Sequence, residues 1–436
     1  MSAFGLVHPA VEFLTDPPTA SQIDTTVDAF MNLIDRDDAS VARLVVDGFD
    51  NAVRVHSATG GSTNLILHML ATRTYAGIRT HLNEYETIRL AEQVPDLFDY
   101  SLTEDRHIFS LAQQVVRGES MGVATVLYEL NRLGIPVDLD AMTVDCTSWA
   151  KRIGKGRKDS ASRVRQNPII LDHARKPLGG IDQLRGNFFS SAVVKISGMP
   201  DEQIDAFDEI VAIVWYFQNE DEATDSLLQT DPIEELSSCK NLTIQDFRTI
   251  DGINRRSGEP VPKAVKRKIL QRMTEYGSLR IAVVIAGQGP KAFGMPEMFT
   301  PMQHINSSAV LKRYAMIISD GRYSGVTYGA AVGHVCPEAF DHGPIMALQT
   351  GDLLWIRLRE RRIDLLDRDS FRKGKLRAEK PTWHRKPTRC HLLERRHKQL
   401  IERRKLIAVV NQMDNVRDAS WGVVPNRIWD AARDKI

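Results

Sequence analysis

No run of about eighteen apolar residues occurs in the chain, so no segment reads as a membrane-spanning helix. The first nine residues, Met1 to Pro9, have neither a basic n-region nor a long apolar h-region and do not read as a signal peptide. Cysteine is scarce. Cys146, Cys239, Cys336 and Cys390 are far apart in sequence and form no C-x-x-C pair. That argues against a zinc ribbon or a ferredoxin-type cluster held by this chain alone, and it makes free thiols in a reducing compartment the expectation. The cytoplasm follows by default, with an organelle left open. Net charge is nearly absent too: +1 over 436 residues gives no global pull toward nucleic acid or a membrane surface. There is no internal repeat and no G-x-S-x-G elbow, so hydrolase chemistry is not indicated.

What is present is an ordinary globular composition, 42% apolar and 26% charged, in a chain long enough for two or three domains. The charge is unevenly spread. From Arg357 to Lys405 there are 19 Lys and Arg against 7 Asp and Glu, a local excess of +12, so the remainder carries −11. This basic stretch contains Trp383 and His384 but matches no nucleic-acid-binding signature. A nucleic-acid role is disfavoured, and a solvated linker and helix facing the acidic remainder or a second subunit is expected.

The first 165 residues read as mainly helical. Ile23, Val27, Phe30, Met31 and Ile34 fall at helical spacing over Ser21–Ile34, with Thr19 or Ser21 as cap. Gly60-Gly61-Ser62-Thr63-Asn64 makes a turn and an N-cap before another helix. Further helices are expected near Tyr85–Gln93, Arg106–Val116 and Gly122–Leu133. From about residue 166 the texture changes to short β-rich runs at Pro168–Leu171, Ser191–Ile196, Leu279–Ala286, Tyr314–Ser319 and Asp352–Leu358, which suggest a barrel or sandwich. Residues 232–278 read as a helical insertion, and His391–Ile407 as one helix.

Three turn motifs within about fifty residues carry the chemistry. In Gly294-Met295-Pro296-Glu297-Met298 a carboxylate sits on a stiff turn, suited to Mg2+ or to capping a helix. In Ser319-Asp320-Gly321-Arg322-Tyr323-Ser324-Gly325 a serine follows a strand-like run. It could act as nucleophile or base, or merely satisfy its own turn. Arg322 could pair with a substrate carboxylate or brace Asp320. In Gly333-His334-Val335-Cys336-Pro337-Glu338, His334 is a ligand or a bonded core residue, and Glu338 suits the first turn of a helix.

These motifs, with Gly60 to Asn64, Gly186-Asn187 with Ala192-Val193-Val194-Lys195, and Gly343-Pro344-Ile345, stand in an order that resembles the dihydroxy-acid dehydratase and phosphogluconate dehydratase family, which includes sugar-acid dehydratases. The resemblance runs from about residue 1 to about 365. It implies a hydro-lyase that turns a 2,3-dihydroxy acid, either a sugar acid or a branched one, into a 2-keto-3-deoxy acid. A 2Fe–2S or 4Fe–4S cluster acts as Lewis acid on the C3 hydroxyl, with Mg2+ and a serine base. Glu297 matches the family's metal ligand and Ser324 its base. Asp320, Arg322, His334, Ser62 and Thr63 match positions of substrate or loop support.

The implied fold is α/β plus β-barrel: residues 1–165 as the helical remainder of an α/β/α domain, 166–365 as a swivelling barrel domain with the insertion at about 232–278, and 366–436 as basic linker and helical tail. Phe4-Gly5-Leu6-Val7-His8-Pro9 resembles the segment just after the family's last cluster cysteine. The cluster cysteines and remaining Mg2+ ligands are therefore expected upstream, or on a separate N-terminal chain, with no cluster cysteine in this one. The chain alone is expected to be inactive and to expose apolar surface. The alternative is an inactive remnant or a partner-dependent binding module of the same fold. The implied partners are a small hydroxy-acid substrate and further subunits, as a homodimer or tetramer.

Overall fold

The structure is a computed structural model. It describes the chain except residues 13–16, 37, 100–121, 155–168, 197, 198, 200, 324–329, 435 and 436. The chain divides into two compact units: Met1–Ile181 with Arg427–Ile436, and Asp182–Asn426.

The first unit is helical. α1 (Ala20–Ile34), α2 (Val41–Ala58), α3 (Thr63–Tyr75) and α4 (Leu82–Ala91) precede a further helix at Val123–Arg132. Thr19, Ser40, Ser62 and His81 cap the first four, each side chain accepting from a backbone N–H of the first turn. α2 is the centre, with Leu44, Val45, Phe49, Ala52, Val53 and Ala58 all buried. Gly48 lies so close to the Phe4 backbone that an added Cβ would stand 2.7 Å from the Phe4 carbonyl oxygen, so the short 3-10 turn Ser2–Phe4 packs directly on α2. Buried Arg89 is bonded to Glu86 at 2.7 Å and to the Gly179 carbonyl at 3.1 Å. The last residues belong to this unit: the Arg433 N–H donates to Gly77 O at 2.9 Å, and the Arg79 guanidinium lies 5.1 Å from the Trp429 ring centre. The expected helix at 106–116 lies outside the described residues.

The second unit is built on one eight-stranded sheet in the order β1-β2-β6-β5-β4-β3-β7-β8. The strands are β1 (Ile181–Leu184), β2 (Ser191–Lys195), β3 (Ile210–Phe217), β4 (Ile281–Ile285), β5 (Ala315–Ser319), β6 (Ala331–Cys336), β7 (Leu353–Arg357) and β8 (Arg362–Leu365). β3, β4, β5 and β6 run parallel, while β2 pairs antiparallel with β6, and β7 pairs antiparallel with both β3 and β8. Alternation along β3 sorts two cores. Ile210, Ala212, Val214 and Tyr216 face one, with residues of every other strand. Val211, Ile213, Trp215 and Phe217 face the other. That second face is covered by the helices Ile244–Asn254 and Lys266–Glu275 through Phe247, Ile250, Ile269, Leu270 and Met273, so the segment read as an insertion packs on the sheet.

The sheet curls until its two edges nearly meet. The Arg185 N–H donates to Arg361 O at 3.0 Å, and the Ile363 N–H donates to Arg185 O at 3.0 Å. Next to this seam, a Cβ on Gly186 would come within 1.8 Å of Ile363 O, so only glycine fits. Asn187 completes the junction: its amide nitrogen donates to Leu365 O at 2.8 Å and Glu379 O at 2.9 Å, and its oxygen accepts from Leu365 N–H at 2.7 Å. The Gly-Asn motif is therefore a closure device of the barrel-like sheet.

Two strand expectations change. Of the run read as Pro168–Leu171, the described residues 169–171 contribute only an isolated bridge at Ile170. Gly333 to Cys336, read as a turn motif, is the body of β6. The basic stretch spends much of its charge inside the second unit. Arg372 pairs with Asp246 at 3.1 Å, Arg389 with Asp352 at 2.6 Å and Arg403 with Asp221 at 2.9 Å, while Arg357 bonds Asp364. The helix Pro387–Arg404 carries two of these arginines, Arg389 and Arg403, and buries Leu393 and Leu400.

Candidate active site

Parallel strands present their carboxyl ends on one edge, where open sheets of this kind place ligands. Here the loops after β4, β5 and β6 meet on that edge and carry four of the residues singled out in the sequence. The loop after β4 runs through Gly287, Gln288 and Gly289 into a single helical turn, Pro290–Phe293. Gly294 then takes φ 75° and Met295 φ 53°, a pair of left-handed residues that turns the chain sharply before Pro296 and Glu297.

Asp320, at the end of β5, is fully buried and works as a three-way tie. Its carboxylate accepts from the N–H groups of Gly287 at 3.2 Å, Gln288 at 2.9 Å and Ala339 at 2.9 Å. Glu338, also fully buried, accepts from Lys291 N–H at 3.0 Å and Ala292 N–H at 2.9 Å, satisfying the orphan amides of the Pro290 turn. It does not serve the first turn of its own 3-10 segment by side chain. Burial, then the neighbouring Asp320, pushes the Glu338 carboxyl up to about 8. Burial also raises Asp320, opposed by its backbone donors.

Arg322 does not brace Asp320. Its Nε donates to Met295 O at 2.8 Å, its carbonyl accepts from Met298 N–H at 3.1 Å, and its guanidinium stands 4.0 Å from the Glu297 carboxylate. The loop bearing Glu297 is thus stitched to the loop leading into Ser324. The Glu297 side chain is 44% exposed. His334 is buried in β6 at φ 57°, and its N–H donates to Gly321 O at 2.9 Å. Burial, then Arg322, depresses its imidazole to about 3, so it is neutral here. Its Nε2 has no hydrogen-bond partner among the described residues.

Sequence reasoning missed Gln288. Both its amide oxygen and its amide nitrogen are buried without a partner among the described residues, and its Cβ abuts Gly321. Buried polar atoms are seldom left so, and a polar ligand at this edge would answer both Gln288 and His334. The signal was available: Gly-Gln-Gly-Pro directly after an apolar run marks a turn at a strand end. Ser324 lies outside the described residues. Ser62 and Thr63 belong to the first unit, at the start of α3, where Ser62 Oγ accepts from Asn64 N–H at 3.2 Å and Ser62 O meets His56 Nε2 at 2.9 Å.

The donor chemistry bears differently on the two inorganic groups. Mg2+ is commonly held by one or two carboxylates with water and substrate oxygens completing its shell. A half-exposed carboxylate on a cross-braced turn fits one such position, and Glu297 is that residue. An iron–sulfur cluster needs several converging thiolates. Among the described residues no three His, Cys, Asp or Glu side chains converge in a metal-binding group, and buried Cys336, half-buried Cys146 and Cys239 and exposed Cys390 do not supply a cluster site.

Comparison with known proteins gives two family matches. Residues 3–152 match the dihydroxy-acid/6-phosphogluconate dehydratase N-terminal domain, and residues 260–412 match the C-terminal domain of the same family. The dihydroxy-acid dehydratase of Pyrococcus furiosus is 30% identical over 348 residues, 79% of this chain and 51% of that protein. That of Nitratidesulfovibrio vulgaris Hildenborough is 31% identical over 320 residues, 72% of this chain and 46% of that protein. That of Caldicellulosiruptor saccharolyticus is 29% identical over 339 residues, 77% and 50%. The chain spans about half the length of the curated relatives it matches.

Proposed function

This chain belongs to the dihydroxy-acid/6-phosphogluconate dehydratase family, and from that premise we propose that it supplies the Glu297 and Ser324 half of a hydro-lyase active site acting on a 2,3-dihydroxy acid. One observation carries the reading. The three loops at the carboxyl ends of β4, β5 and β6 are cross-tied by Asp320, Glu338 and Arg322, which fixes the turn bearing half-exposed Glu297 beside the strand end from which the sequence runs on to Ser324.

Glu297 would hold Mg2+, which when bound would offset the negative charge of the substrate acid and acidify its C2 proton. Ser324 Oγ takes the C2 proton. Ser324 starts as the alkoxide. As the C3–O bond breaks, the hydroxyl leaves with the bonding pair and becomes water by taking the proton held by Ser324, which returns the serine to its alkoxide. The resulting enol tautomerises to the 2-keto-3-deoxy acid. No residue of this chain is assigned to the departing hydroxyl, because the described thiols do not form a cluster site. Gln288 and His334 offer an amide and a neutral imidazole for the substrate's hydroxyl groups. An assembly with further chains in the cytoplasm belongs to the same proposal, and the substrate is a sugar acid or a branched dihydroxy acid.

The test uses the assembly isolated from its source, supplied with Mg2+ and either a branched 2,3-dihydroxy acid or an aldonic acid. Release of a 2-keto acid, trapped as its semicarbazone, is expected, with none from the 436-residue chain by itself. No product from either substrate would overturn the catalytic reading. It would favour the second reading, a binding module that keeps the fold without the chemistry, which the ungrouped cysteines support.

A further inference from the structure

The second unit holds a cavity that the chemistry at Glu297 does not use. It encloses about 320 Å3 between the end of β3 at Tyr216 and Gln218, the first turn of the helix Glu220–Gln229, and the middle of the helix Pro387–Arg404. Every side chain lining it carries a polar group. Tyr216 is 6% exposed, and its hydroxyl is buried with no hydrogen-bond partner among the described residues. Burial raises the phenol, so the hydroxyl keeps its proton and remains a donor. A buried donor left so calls for a ligand or a water.

The charges around the cavity point to the sign of that ligand. The Arg396 guanidinium lies 3.7 Å from the Tyr216 ring centre, and its Nη1 donates to the carbonyls of Met346 and Leu348. Its Nε and Nη2 have no protein acceptor among the described residues. Arg395 lines the same cavity and forms no ion pair or hydrogen bond among the described residues. Burial lowers the Arg396 guanidinium, and the positive charges of Arg395 and Arg389 lower it further, against Tyr216 and Glu222. Among the described residues that line the cavity, Glu222 is the one carboxylate, and an oxygen of it already accepts from Gln218 N–H at 3.0 Å. Two guanidiniums against one partly engaged carboxylate leave the cavity short of negative charge.

We propose that this cavity binds a small oxyanion of the phosphate class. Its oxygens accept from Arg395, Arg396 and the Tyr216 hydroxyl, with the Gln218 and Gln399 amides at the wall. The volume is at the low end of small-molecule sites, which suits phosphate or a small phosphomonoester. Other arginines of the basic stretch, Arg389 and Arg403, are neutralised by Asp352 and Asp221, whereas Arg395 and Arg396 wait for a ligand. That ligand is a second one, distinct from the dihydroxy acid. Tyr216 belongs to one core of the sheet, and Met298, next to Glu297, belongs to the other. The inference stands whether or not the chain is part of a dehydratase.

Isothermal titration of the 436-residue chain with inorganic phosphate and with glycerol 3-phosphate, against sodium chloride at matched ionic strength, tests it. Binding of at least one phosphate probe above the chloride control is expected. Tighter binding of glycerol 3-phosphate identifies the ligand as the phosphate group of a metabolite, and equal or tighter binding of inorganic phosphate identifies it as the free ion. Arg395→Gln, at an exposed position, is expected to weaken the bound probe by about 10-fold or more. Tyr216→Phe, which keeps the ring beneath Arg396, is expected to weaken it by about 3-fold to 10-fold. Glu222→Gln removes the opposing charge and is expected to tighten binding by about 3-fold. A merely structural cluster would show none of these changes. Unaltered circular dichroism shows that each variant folds, and the exposed positions Arg395 and Glu222 carry the test should Tyr216→Phe not fold. Failure of both probes to bind above chloride at about 10 mM overturns the proposal. Binding indifferent to Arg395→Gln and Glu222→Gln overturns it as well, because the anion then sits elsewhere as an adventitious ion only.

Discussion

The two units dispose of apolar surface in opposite ways. In the second, the sheet is buried on both faces. All eight residues of β3 are buried, the even-numbered ones in one core and the odd-numbered ones in the other. In the first, α2 is enclosed while α1 leaves a line of five large side chains half in water. Within the first unit, α1 and α2 have similar apolar content, 8 of 15 and 10 of 18 residues, so composition does not separate an enclosed helix from one with an exposed apolar stripe. The arrangement of partners does.

The contrast can be broken or sharpened by substitution. The largest effect is expected at the barrel seam. Gly186→Ala would force a methyl group into the Ile363 carbonyl, and a loss of about 4 kcal/mol or more, read as a collapse of the urea midpoint, is expected. Survival of the midpoint would mean that the edges do not meet. Phe247→Ala empties the helix-covered core and should remove about 3–5 kcal/mol in the same assay.

The site's buried groups give a smaller, pH-dependent term, no steeper than about 1.4 kcal/mol per pH unit for each proton. Glu338 is raised on folding from 4.5 to about 8, so its stabilising contribution is complete below 4.5 and is lost as pH rises toward 8, with Asp320 adding in the same direction. His334 is depressed from 6.5 to about 3, so its contribution is complete above 6.5 and is lost as pH falls toward 3. Denaturation midpoints measured from pH 3 to 9 should therefore fall on both sides of the range between 4.5 and 6.5. Glu338→Gln should flatten the alkaline side and His334→Asn the acid side. If neither variant alters its limb, other groups set the pH dependence. The smallest effect is expected in the first unit. Phe30→Ser should change the stability of the dilute chain by less than about 0.5 kcal/mol, because the ring it removes is already half in water.

Much of the helical structure was legible in the sequence, because caps and apolar spacing are local signals. Thr19 and the ends of the helix at 387–404 lie within a few residues of where the sequence puts them. β3 was not legible. Eight consecutive apolar residues buried on both faces carry no alternation, and strand and buried helix look alike in such a run. In the site, the sequence marks Glu297, Asp320 and Glu338 equally, as carboxylates on turns. Only tertiary structure decides that Asp320 and Glu338 are buried on backbone amides from other loops while the Glu297 side chain is 44% exposed beside Arg322. The closing role of Gly186-Asn187 was not legible for the same reason: its partners, Ile363 and Leu365, are nearly two hundred residues away.

That distance also sets a clock on the ribosome. Asn187 and Leu365 are 178 positions apart, and at about 5–20 residues per second roughly 10–40 s pass between their syntheses. During that interval β1 and β2 wait as an open edge. A nascent chain stalled between β6 and β7 should therefore be the species most exposed to edge-to-edge aggregation and most dependent on chaperones, and release should come abruptly when β8 arrives and the ring of strands shuts.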